Sequence, residues 1–228
     1  MFKQILVASL CLFPAFACAG AALTAMETRW LKAAGPVLAY SQRIKLPIDI
    51  IVQPVTRPSD VPMAMGFQNG RCKLVLSMRG NPDAEKVLDK VPHAERGVLM
   101  EAMAAHEVAH CWRYAQDAWH ALPAGFQDRL APASRGPQAA PDQVIQNRRE
   151  EGFADLVALA WTKRQHPAHY QRVHTWLARL RTEQAAPGGT HDTRAWVRLA
   201  RDGSVFKIGA TPFDEASATW TMGVRGDK

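Results

Sequence analysis

An α+β fold with most of the chain in helices is what this sequence predicts, on three observations. Helix-period apolar spacing recurs over three long stretches, Pro92 to about Ala121, about Asp142 to His166, and roughly Ala168 to Arg181. Two segments with β-branched enrichment, Arg43–Val55 and Cys72–Met78, come before all three and suffice only for a small sheet. The 228 residues suit one domain with a substantial core, and no internal repeat or low-complexity tract divides them.

The chain opens with "MFKQILVASLCLFPAFACAGAAL", a lysine, a short apolar run broken by Pro14, and then small residues. Lys3, the apolar core and the A-x-A pattern of Ala17 and Ala19 before Gly20 predict a secretory signal peptide over 1–19 and a single mature domain over 20–228. The apolar run is short for a membrane span of about 20 residues. A lipidated Cys18 would want leucine where Ala15 stands. No later segment is long and apolar enough to cross a bilayer, so the mature chain is expected to be soluble, in the periplasm or secreted.

Residues 23–34 read as a short helix stopped by Gly35 and Pro36. Arg43–Val55 is a strand interrupted by Pro47 and closed by Pro54. A proline-rich loop then leads to an Asn69-Gly70 turn that feeds the second strand, Cys72–Met78, and Gly80-Asn81-Pro82 ends it. Between the first two long helices, Pro123–Asp142 is dense in proline, glycine and alanine and reads as a surface loop. Pro167 stops the second helix, and "APGGT" from Ala186 breaks the third. Asp192 is placed to cap a short fourth helix, and the tail reads as a hairpin around Ser204–Phe213. Trp112, Trp119, Trp161 and Trp176 read as packing, whereas His166, His169 and His174 suit no single face and read as surface residues.

Cys11 and Cys18 lie in the signal, which leaves Cys72 and Cys111. In an oxidising compartment a disulfide between them is expected, with two buried free thiols as the alternative. Closing a loop of about 40 residues would stabilise the fold by about 4 kcal/mol. The net charge is +7, but Arg and Lys are scattered and no nucleic-acid motif accompanies them, so no nucleic-acid partner is expected.

The chemistry concentrates in "HEVAH". Leu99, Met103, His106 and His110 fall on one helix stripe, so two imidazoles lie where apolar side chains point. Residues four apart differ by about 40° around the axis, which lets both bind one ion. Glu107, about 60° from His110, can face water on that ion but is badly placed as a ligand. Two inward imidazoles beside a carboxylate are costly to bury without a partner. Zn2+, one per chain, is the expected cofactor, and a catalytic zinc needs a third protein ligand.

Glu151 and Asp155 share a face of the next helix, in line with Val144 and Ala158. Glu151 is the candidate third ligand, and Asp155 the candidate acceptor that fixes a ligating histidine's tautomer. Glu150 is a rival ligand, although its neighbour four residues on, Ala154, can orient nothing. Arg148 lies near the row, so a salt-bridged helix face is the alternative. Gly152 would let the two helices approach closely. Cys111, about 100° from His110, points away from the metal, and its bond to Cys72 would tie this helix to the preceding strand.

Taken together, His106-Glu107-Val108-Ala109-His110 and Glu151-Gly152-Phe153-Ala154-Asp155 resemble the H-E-x-x-H plus E-x-x-A-D pair of gluzincin metallopeptidases. The closer likeness is to the branch holding the CAAX prenyl endopeptidases, the HtpX-type membrane proteases and their small periplasmic relatives, over roughly residues 60–200. The chain departs from that branch in lacking membrane helices, and in having Thr190-His191-Asp192-Thr193 where a histidine is often followed by proline. The resemblance implies a zincin-like domain with a small sheet beside the H-E-x-x-H helix, acting on a peptide or protein substrate. Glu107 would be the general base that later delivers the proton to the leaving amine. His191, after a Gly-Gly hinge, resembles the downstream histidine of such enzymes and is the second candidate catalytic residue, an ordinary loop histidine being the alternative. Arg194 and Arg198 are further candidates. The strand Lys73–Met78 is a candidate edge to which a peptide could add, a plain structural strand being the alternative. Two other functions fit the same residues: a zinc-binding envelope factor that turns over no peptide, and a zinc hydrolase of non-peptide amides.

Overall fold

Apolar residues at helical spacing need a partner surface, and here the partners are other helices. The computed structural model describes residues 22–54, 56–57, 60–123, 126, 142–183 and 186–226. The predicted signal segment 1–19 and most of the Pro123–Asp142 loop lie outside the described residues. In chain order the elements are α1 (Ala25–Arg43), β1 (Ile48–Val52), β2 (Met63–Gln68), β3 (Arg71–Leu76), α2 (His93–Ala115), α3 (Asp142–Gln165), α4 (Tyr170–Glu183), α5 (Arg194–Leu199) and α6 (Pro212–Gly226). Among the described residues the fold is α+β, mostly helical, with one small three-stranded sheet.

Helix α2 lies in the middle, against α1, α3 and the sheet. Leu74 and Leu76 of β3, Met100 and Ala104 of α2, and Leu156 and Leu159 of α3 are all almost fully buried in one core. The disulfide is formed: Cys72 of β3 and Cys111 of α2 stand 5.6 Å apart at Cα. It fastens the central helix to the central strand one residue beyond His110.

Strand order is β1-β3-β2, with β1 parallel and β2 antiparallel to β3. The β2–β3 connection is the Asn69-Gly70 turn, both residues at positive φ (53° and 71°), as a two-residue type I′ hairpin requires. The first strand of that hairpin, Met63–Gln68, was expected to be loop. Its sequence, Met-Ala-Met-Gly-Phe-Gln, has no β-branched residue, and its pairing with β3 supplies what propensity does not. A second correction follows: Lys73–Met78 is not an edge, because β3 is central and β2 carries the edge on the α2 side.

Other elements also depart from expectation. Helix α1 runs through Gly35 and Pro36 to Arg43. Trp30, Ala34 and Val37, all essentially fully buried, continue one stripe past the proline. That burial outweighs a propensity cost of about 3 kcal/mol. Thr24 and Glu27 close a capping box at its start. Strand β1 is accordingly shorter than Arg43–Val55, and α2 ends at Ala115, not near Ala121.

Asp192 does not cap α5. Thr193 holds the cap position without a side-chain bond to the helix backbone, and Asp192 accepts from the Gly188 N–H and from Arg194. The tail is helix α6, not a hairpin. Thr211 and Asp214 bond reciprocally at its start, and Phe213, Ala216, Trp220 and Val224 face the core.

Gly152 faces Trp196 of α5 instead of α2. A Cβ at Gly152 would lie 2.5 Å from the Trp196 indole, so the glycine makes room for a side chain, not for a helix. His174, expected at the surface, is buried and pairs with the Val197 carbonyl through Nε2 at 2.9 Å.

Candidate metal centre

Three donors converge where α2 faces α3. His106 Nε2 and His110 Nε2 are 3.2 Å apart. His106 Nε2 is 3.4 Å from Glu151 Oε2, and His110 Nε2 is 3.4 Å from Glu151 Oε1. Four-residue spacing on α2 sets the imidazoles side by side, edge to face, and the packing of α3 brings Glu151 across from both. Ligands held at about 2.0 to 2.2 Å by one tetrahedral ion stand about 3.3 to 3.6 Å apart. The three donor groups therefore fit a zinc-sized cation.

The histidine tautomer is set behind the donors. His106 Nδ1 pairs with Asp155 Oδ1 at 3.0 Å, so a proton on Nδ1 leaves the Nε2 lone pair facing the cluster. Asp155 is itself fully engaged. Arg181 donates to it through Nε (2.8 Å) and Nη2 (2.6 Å), and the Thr193 hydroxyl donates to Oδ2. Arg181 also reaches Glu151 Oε2 at 3.3 Å. His110 Nδ1 is buried and has no hydrogen-bond partner among the described residues. Its ring is held between His106 and Trp119, both edge-on.

The electrostatics favour a cation. Burial opposes charge on His106, but the Asp155 and Glu151 carboxylates overcome it and pull its pKa up to about 10. Burial pushes Glu151 up too, and the two imidazoles outweigh it, holding that carboxyl well below its ordinary range. Asp155 is likewise lowered, burial being outweighed first by Arg181 and then by His106. Burial raises Glu107, against the pull of both imidazoles. Glu107, Glu151 and Asp155 all act on Arg181, and Glu151 and Asp155 also draw positive charge onto His106; a divalent ion at the three donors would supply that charge in place of the proton.

The backbone N–H of Met65 on β2 lies close enough to Glu107 to favour its carboxylate slightly against burial, which places the general-base candidate beside the edge strand. A groove of about 860 Å³ runs past the donors. It is walled by Met63–Met65 of β2, by Met103, Tyr114 and Trp119 along α2 and just after it, and by Leu180, Arg181 and His191 opposite.

His106, His110, Glu151 and Asp155 stand as the motif spacing predicts. His191 joins them, its Nε2 3.6 Å from Glu151 Oε2, and its side chain is more than half exposed. Glu150 does not compete as a ligand, because Arg113 takes both of its oxygens. Arg194 pairs with Asp192, and with Arg148 and Arg198 it lines a different cavity of about 570 Å³. Sequence reasoning missed Arg181, which lies on a helix whose register toward Asp155 is set only by tertiary packing. It also read Trp119 as packing, although Trp119 lines the groove. No family model, curated protein or solved structure matches the chain.

Proposed function

We propose that this chain is a zinc-dependent metallopeptidase with a zincin-like fold of the gluzincin type, acting in the periplasm or outside the cell. The observation that carries the reading is the convergence of His106, His110 and Glu151 on one point, with Glu107 on the same helix face and a groove open beside them. The signal-like first 19 residues and the Cys72–Cys111 bond support the compartment, since disulfides persist where the environment is oxidising.

When bound by the three donors, zinc would supply Lewis-acid polarisation of a carbonyl and acidify water at the site toward a pKa of about 7. The residues of the chain do the rest. An extended peptide pairs with the β2 edge and is held along the groove. Glu107 takes a proton from the attacking water as the new C–O bond forms. It then returns that proton to the nitrogen as the C–N bond breaks. Burial raises the Glu107 pKa toward the range where a base works near neutrality. With the Thr190 hydroxyl donating to His191 Nδ1, the His191 proton sits on Nε2, the atom facing the donors, and can be offered to the developing oxyanion. Asp155 and Arg181 hold His106 and Glu151 in place.

The test is purification of the full chain with zinc, metal analysis, and hydrolysis of a peptide library. One zinc per chain and peptide cleavage are expected, and Glu107→Gln should lower the rate by about 10²- to 10⁴-fold with zinc content unchanged. Bound zinc with no cleavage of any peptide would favour an envelope factor that only holds the metal. Absence of stoichiometric zinc would overturn both readings.

A further inference from the structure

Beyond the donors, the groove has a wall that the proposed chemistry does not use. Tyr114 stacks on Trp119 with ring centroids 4.0 Å apart, and Phe67 of β2 stacks on Tyr114 at 4.9 Å. Trp119 meets the His110 ring edge-on at 5.6 Å. Three aromatic rings thus run from the tip of the edge strand to a metal-donor imidazole, and Tyr114 and Trp119 line the groove.

This wall is built, not incidental. Trp119 sits in a turn after α2 where Asp117 and His120 both take positive φ (50° and 62°), a conformation that non-glycine residues adopt only when their surroundings impose it. The surroundings here are a buried ion pair. Arg113 donates to Glu150 through Nε (2.9 Å) and Nη2 (2.8 Å), and its guanidinium lies over the rings of Phe153 and Trp220. From that pair, Glu150 accepts the His120 N–H at 2.9 Å and Arg113 donates to the Ala121 carbonyl at 2.8 Å. His120 Nε2 adds a bond to Asn147 at 2.9 Å. A turn secured at three points carries one large ring into the groove.

We propose that Tyr114 and Trp119 form a substrate subsite selective for an aromatic side chain adjacent to the scissile bond; this rests on the metallopeptidase reading. The distance decides which residue is meant. An extended chain advances about 3.3 Å per residue, so a ring 5.6 Å from the His110 ring is within reach of a residue flanking the scissile bond and too close for one several positions away. Ring chemistry decides the class. A flat π-system meets a pre-stacked pair edge-on or offset, with a gain beyond its buried area that an aliphatic side chain does not share. The subsite costs little to organise on binding, because its turn is already fixed.

The test measures equilibrium binding, not turnover. Zinc-loaded Glu107→Gln protein is titrated with blocked hexapeptides of glycine and alanine carrying a single Phe, Leu or Ala at the third or fourth position. The Phe peptide of one register is expected to bind best. Trp119→Leu, which keeps apolar bulk, should weaken that peptide by about tenfold while leaving the Leu peptide within about twofold. Trp119→Phe should restore most of the difference, with every variant titrated at full zinc occupancy, confirmed by metal analysis. Equal binding of Phe and Leu peptides, or an equal loss for both in Trp119→Leu, would overturn the subsite. Parallel assays of the unmutated enzyme keep the two readings apart. Cleavage without aromatic preference sinks the subsite alone, whereas Trp119-dependent binding with no cleavage of any peptide sinks the peptidase reading and leaves Tyr114 and Trp119 as an aromatic-binding site with no scissile bond beside it.

Discussion

Glu150 and Glu151 are neighbours on α3 and opposite in kind. Glu150 is almost fully buried, with Arg113 and the His120 N–H occupying its oxygens. Glu151 turns to the other side, where its oxygens face two imidazoles at 3.4 Å and Arg181 at 3.3 Å. Both are inward carboxylates on one helix turn, yet one is closed by short charge-assisted bonds and the other shares its surroundings with two imidazole nitrogens and a guanidinium at longer range. Closure marks a residue that holds the frame, and convergence of lone pairs at Glu151 is what the proposed metal site rests on.

The contrast breaks most sharply under exchange. Glu150→Ala leaves the Arg113 charge buried without its partner and is expected to destabilise folding by about 3 to 5 kcal/mol in urea melts, with zinc affinity of the folded fraction little changed. Glu151→Ala should shift the balance the other way, moving the zinc-free melt less than Glu150→Ala does while zinc affinity, read by competition with a chelating dye, falls by more than about 100-fold, beyond the effect of losing a group that only orients a ligand. If the two substitutions gave the same pair of readouts, the distinction would be wrong.

The next effect is on the frame. Cys72→Ala with Cys111→Ala removes the bond beside His110 and should cost about 4 kcal/mol, again with zinc affinity held. Smaller still is Asp155→Asn. It keeps the shape but weakens the pull on the His106 Nδ1 proton and on Arg181, and it is expected to lower zinc affinity by about 10- to 100-fold. An unchanged affinity would mean that Asp155 serves Arg181 and not the metal.

Much of this was readable before any coordinates. His106, His110, Glu151 and Asp155 lie on long helices, where a spacing of four fixes a shared face, and α2 and α3 are periodic enough to locate. The Cys72–Cys111 bond was one of two alternatives that the cysteine count and an expected oxidising compartment left open, and it is the one formed. What sequence did not reveal depends on contacts between distant segments. Met63–Gln68 becomes a strand because it pairs with β3, and Pro36 stays within α1 because Trp30 and Val37 are buried on either side of it. Arg181 needs α4 laid against α3 before it can meet Asp155. Gly152 was noticed, but its partner Trp196 lies 44 positions along the chain and only the fold reveals it. Helix α6 did carry a signal that the hairpin reading passed over. Thr211-Pro212-Phe213-Asp214 has a capping residue, a proline at the first helical position and an acid at the third, ahead of Phe213, Ala216, Trp220 and Val224 at helical intervals.

The central claim is that one zinc sits among His106, His110 and Glu151. Crystals of the zinc-loaded protein, with anomalous differences collected on either side of the zinc absorption edge, test it most directly. A single strong peak bounded by His106 Nε2, His110 Nε2 and the Glu151 carboxylate is the predicted result. A map with no peak among those three residues, or with its zinc held by other groups, would contradict it.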